Sequence, residues 1–353
     1  MRLATKRIAS LTCAAALLLS MSACTGAAAS GSGSTTDSSI SANAPDGQPP
    51  EKPDGAPGDG KGGPGGGFGG SGQVTQGTSA NTLDSDTTVF STSYSSTGSD
   101  ENALRVDGAD VTLQDVTVTK SDGKSSNTED GDFYGMNAAL LATNGATLTV
   151  TDSTITSSAQ NGNGVFSYGE GTTVNISDST IRTSADNSGG IQTTGGGTTN
   201  ASDLTVETAG NSSAAIRSDR GGGTVNVTGG SYSTSGYNSP AVYSTANISV
   251  SDADLTASNS EALVIEGSNS IALTNCKVSG NMSSTQSTSA DENVHNVMIY
   301  QSMSGDAEVG TSSLSITGGS LTGKSGDLFY ITNTHAILSL SGVTLSNEDA
   351  SAN

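Results

Sequence analysis

The sequence predicts an all-β fold, a right-handed parallel β-helix, and three observations carry that prediction. Of 353 residues, Gly, Ser and Thr supply 47, 59 and 46, aromatics are 4%, Trp is absent and charged residues are 13%. So few bulky side chains cannot fill a conventional core, since burial contributes about 25 cal/mol per Å² of apolar surface. Gly, Ser and Thr are also modest to poor helix formers. The second observation is a short pattern that recurs nine times between residues 83 and 353. The third is that apolar residues in and before it alternate with period two, the strand signal.

The chain opens on an export signal. Arg2, Lys6 and Arg7 form a positive start, and Ile8 to Leu19 is apolar but too short to span a bilayer. It runs into Met21-Ser22-Ala23-Cys24, which resembles a bacterial lipobox. The resemblance implies that residues 1–23 are removed and that Cys24 is diacylated, placing the protein on the outer face of the cell membrane through its lipid anchor alone. Removal of the three cations leaves 34 acidic against 10 basic residues, a net charge of −24. Nucleic acid and anionic membrane surfaces would repel such a chain, which leaves cations, neutral polymers and other proteins as partners. Cys276 is then the single thiol of the repeat region, so no internal disulfide forms and a small core residue is expected there.

Residues 24–82 read as a disordered tether. The segment is rich in Ser, Gly and Pro, holds six of the seven Pro residues, and shows no apolar period. Flexible-chain scaling gives it a reach of about 40 Å.

Residues 83–353 read as the repeat domain. The nine copies are centred on Asp115, Asp152, Asp178, Asp203, Gly229, Asp252, Asn275, Gly318 and Gly342, most of them 23 to 26 residues apart. Asp, Asn and Gly best tolerate positive φ, so a tight bend between two short strands is expected at each centre. A third strand precedes each pair, with inward aliphatics at Leu104, Leu140, Val165, Ile191, Ile216, Val242, Leu263, Met298 and Phe329. Asn161, Asn187, Asn211, Asn238 and Asn259 recur just before it and are expected to stack as a hydrogen-bonding ladder. Three strands and three bends per turn of about 25 residues describe a parallel β-helix. The left-handed hexapeptide type has a shorter turn, so the right-handed form is expected. No polar cap follows Leu345, so the stack is expected to continue or to pair with another chain.

This pattern resembles the pectate-lyase-like family of extracellular β-helices. The resemblance implies either a lyase or hydrolase of acidic polysaccharides, or a non-catalytic, adhesin-like polysaccharide binder. The paired-Asp, Gly-His-Gly and Arg-x-Lys boxes of the polygalacturonases are absent, so no catalytic residue is assigned. His295 and His335, the two histidines, lack a nucleophile context.

The outward stripe of the first strand is the expected ligand surface, with Tyr168, Gln192, Arg217, Asp219, Arg220, Tyr243 and Glu266 as its contact residues. Rings stack on sugar C–H faces, and the planar polar groups pair with hydroxyls. Arg-x-Asp occurs twice in one register, at Arg105/Asp107 and Arg217/Asp219, four rungs or about 19 Å apart, too far to share a reaction centre. Two insertions follow, at about 120–137 and 279–296. In the first, Glu129, Asp130 and Asp132 supply hard oxygens suited to calcium. The leading expectation is a non-enzymatic lipoprotein that binds extracellular polysaccharide or a cell-surface protein along its flank. The alternative is a calcium-dependent polysaccharide lyase.

Overall fold

The computed structural model describes residues 74–282, 293–302 and 305–352. Cys24, the signal segment, most of the tether, and Asp291 and Glu292 of the second insertion lie outside them. The described chain is a parallel β-solenoid. Its strands fall into three sheets of ten, and each sheet takes one strand from each turn. The first sheet runs from Thr82–Leu83 to Asp327–Thr332, the second from Thr87–Phe90 to His335–Ser341, and the third from Ser93–Ser96 to Thr344–Asn347. A two-stranded pairing of Thr78–Ser79 with Glu101–Asn102 sits at the N-terminal end.

The bends between the second and third sheets form where the sequence places them. Asp115, Asp152, Asp178, Asp203, Asp252 and Asn275 have φ of 49–55°, and Gly229, Gly318 and Gly342 have φ of 62–68°. A tenth bend lies upstream at Ser91, φ 46°. It carries Ser in place of Asp, Asn or Gly, which is why the pattern passes over that turn.

Alternation then does the packing. Ile155, Ile181, Val206, Tyr232, Leu255 and Val278 form one inward column of the third sheet, and all are buried. Matching columns climb the other two sheets, so each added turn buries several more aliphatic side chains against the last. Full burial of one such side chain contributes roughly 1.5–3 kcal/mol. Cys276 is one of these buried residues.

Two details differ from the sequence reading. The inward residue of the ninth strand in the first sheet is Val297, which pairs with Leu263 and Phe329, while Met298 points outward beside Val264. Val294 to Tyr300 is apolar on both faces apart from His295 and Asn296, so alternation alone fixes no register there. The Asn residues serve the backbone: Asn161, Asn187 and Asn238 adopt φ of 52–57°, the left-handed region. The hydrogen bonds that climb this corner run through serines and through Asn211, whose Oδ1 accepts from Tyr237 N at 3.0 Å. Ser188 Oγ accepts from Gly162 N at 3.0 Å, Ser213 Oγ from Ser188 N at 2.9 Å, and Ser239 Oγ from Ser213 N at 2.9 Å.

Candidate functional site

The expected stripe exists as one column. Arg105, Leu141, Phe166, Gln192, Arg217, Tyr243, Val264, Met298 and Tyr330 pair in register on the outer face of the first sheet. Its middle is roofed over. The first insertion folds into a short helix, α1, Thr128–Tyr134, capped by the Asn127 side chain and ended by Gly135 at φ 79°. From the other side come Ser302 and Asp306, which reach the same face. Gln192, Arg217, Asp219 and Glu266 are 0% exposed and Tyr243 is 2% exposed.

Beneath the roof the polar groups pair with one another, with Gln192 Oε1 left without a hydrogen-bond partner. Arg217 Nη2 lies 2.7 Å from Asp219 Oδ2 and 3.3 Å from Asp132 Oδ2. Gln192 Nε2 donates to the Asp132 carbonyl at 2.6 Å, and Thr194 Oγ1 to that of Phe133 at 2.6 Å. Burial alone would favour neutral Arg217, but the two carboxylates outweigh it and raise its pKa further. Two rungs on, the Glu266 carboxylate accepts from Tyr243, from Tyr300 at 2.8 Å and from Ser302. Burial, then the neighbouring carboxylate, push both phenols well above their ordinary range.

The three acidic residues expected to share a cation are not brought together. Asp132 faces Arg217, Glu129 Oε2 lies 3.9 Å from Arg220 Nη1, and Asp130 is on the half-buried side of α1, where burial raises its pKa. Among the described residues no group of three His, Cys, Asp or Glu side chains is placed to hold a metal. Arg220 instead binds Asp306, with Nη2 at 2.7 Å and Nε at 3.1 Å, and its guanidinium sits 4.1 Å from the Phe133 ring centre. Tyr168 is half-buried, its ring edge-on to Tyr134 at 5.6 Å. Arg105 donates to the carbonyls of Gln76, Gly77 and Thr78 and pins the N-terminal segment.

Sequence reasoning did not find Asp306, Ser302 or Tyr300. The 43-residue interval from Leu273 to Ile316 was their signal, because it holds two excursions where one was read. It also missed a buried pair: His295 Nε2 lies 3.2 Å from Glu261 Oε1, and the imidazole stacks on Tyr330 at 4.9 Å.

Open concave surfaces lie on the other two sheets. A groove of about 690 Å³ runs along the outer edge of the third sheet, from the turn of Thr119 to that of Thr256. Thr119, Thr156, Ser233 and Thr256 line it with hydroxyls and methyls, and Arg182 and Glu207 form an exposed ion pair at its centre, Nε to Oε2 2.7 Å. Its volume falls within the range of small-molecule sites. Compared with family models, curated proteins and solved structures, the chain matches none.

Proposed function

We propose that this protein is a non-enzymatic, adhesin-like surface lipoprotein that binds neutral extracellular polysaccharide in the groove of the third sheet. The observation that carries the reading is the groove itself. It is open, runs along the solenoid axis across six turns, and presents hydroxyls at the rung spacing of about 4.8 Å, close to one sugar unit of an extended chain. Thr methyls offer surface to C–H faces, and the Arg182–Glu207 pair offers a charged donor and acceptor to hydroxyls. The mature charge of −24 favours a neutral polymer over a polyanion.

The alternative, a polysaccharide lyase, is less well supported. A lyase needs a general base, and Arg217 is poorly suited to be one, sealed between two carboxylates that hold it charged. Incubation of the mature chain with polygalacturonate and calcium separates the two readings. Binding alone predicts no ultraviolet-absorbing unsaturated product, and its appearance would establish the lyase.

A further inference from the structure

At the two ends of the described solenoid the strands pair on one side only. Thr82–Leu83, Thr87–Phe90 and Ser93–Ser96 are outermost at the first turn, and Asp327–Thr332, His335–Ser341 and Thr344–Asn347 at the last described turn. Such edges present free main-chain donors and acceptors, which proteins commonly guard with Lys, Pro or a covering segment. None of these six strands contains Lys, Arg or Pro, and Asp327 is their one carboxylate.

The core is open at both ends too. Ile331 and Leu345 are 43% and 42% exposed, although Ile299 and Leu321, one turn earlier in the same columns, are fully buried. Leu83, Val89 and Tyr94 are only partly buried at the first turn. The described part of the incoming chain does not cross that end. Gln76 Nε2 donates to the Tyr134 carbonyl at 2.9 Å and to Thr143 Oγ1 at 3.1 Å, so the chain arrives along the flank of the stack.

The two ends also match each other. Leu83 stands in the column that ends at Ile331. Val89 stands in that of Leu340. Tyr94 stands in that of Leu345. A first turn set on a last turn therefore meets apolar on apolar in all three sheets, with strands parallel as they are throughout the stack. A two-fold pairing of last turns would reverse strand direction and align at most one sheet with its counterpart. Near-neutral edges lower the repulsion that a mature charge of −24 sets up between copies, and salt screens the remainder. An end about 20 Å across offers roughly 400 Å² per copy, small for a specific interface, so the association is reversible.

We propose that the last turn of one copy receives the first turn of another, so that the chain assembles head to tail into an open series. The assembly does not depend on sugar binding.

The test is sedimentation velocity of the mature chain from micromolar to near-millimolar concentration. Species that grow with concentration, and grow further with salt, are expected. Val89→Lys and Leu345→Lys each place a cation on one end, and each alone should weaken association at least about tenfold. An equal mixture of the two should stop at dimers, because one free end of each kind remains. A parent that stays monomeric throughout, or lysine variants that associate as the parent does, would overturn the proposal. If a lysine variant unfolds at a lower midpoint, cross-linking decides. Tyr94→Cys and Leu345→Cys chains, mixed and oxidised, should then form a 94–345 disulfide, since adjacent turns hold Cα atoms about 4.8 Å apart. Mass spectra without that link, or with 345–345 links alone, would contradict head-to-tail stacking.

Discussion

Two buried clusters of titratable side chains do different work. Arg217 is held by Asp132 and Asp219 with all three side chains out of water, so removing the cation leaves two uncompensated charges. Arg217→Met should therefore lower stability by about 3–5 kcal/mol, measured by urea unfolding. A loss under about 1 kcal/mol would mean that the two carboxylates are solvated, as in a surface pair. Glu261 responds to pH. Burial pushes its carboxyl pKa up, but the neighbouring His295 imidazole and the Ser260 hydroxyl pull it below the ordinary value. A depressed folded-state pKa contributes stability that is present above the unfolded pKa and is lost as pH falls through the folded one. Thermal midpoints across that acidic range should fall for the parent and fall less for His295→Asn. Identical acid limbs would contradict the pairing. The sequence exposed the Arg217–Asp219 half of this chemistry, because Arg-x-Asp is local. Asp132 lies 85 residues from Arg217 and Asp306 lies 86 from Arg220, so both partners depend on how the insertions fold back, which no local pattern encodes.

At the scale of elements, the bend between the second and third sheets was the most legible feature. Its conformation is set by one residue's tolerance of positive φ, and short-range sterics decide it. Asp178 tests this without confounding packing, since it is exposed and has φ 49°. Asp178→Val should cost about 1–2 kcal/mol and Asp178→Gly little, read as shifts in the unfolding midpoint. Equal effects would mean that the side chain, not the backbone, holds the turn. Where two signals competed, the reading slipped. Ser91 bends like its counterparts but is not a residue enriched at positive φ, and the doubly apolar strand around Val297 offered two equivalent registers. The outward stripe was correct as a column, yet an alternation rule says only that a side chain leaves the core. It cannot say that α1 will cover it.

The whole molecule is a stack in which each turn contacts its neighbours, so surfaces extend along the axis instead of closing into a single cleft. That geometry separates the two candidate faces. The first sheet carries the charged cluster and is closed by its insertions, while the third carries the groove and is open. Exposed Ile331, Ile337 and Leu345 show that the last described turn is less covered than the rest. The account rests on the groove, and steric occlusion of it is the most direct test. Ser233 lies on the wall of the groove with its side chain directed outward. The mature chain and its Ser233→Trp variant should be compared on one array of neutral and acidic glycans. The account predicts that the parent binds neutral polysaccharides and that the variant loses at least about tenfold in affinity while unfolding at the same midpoint. Neutral-glycan binding that survives the substitution, or binding confined to acidic glycans, would contradict it.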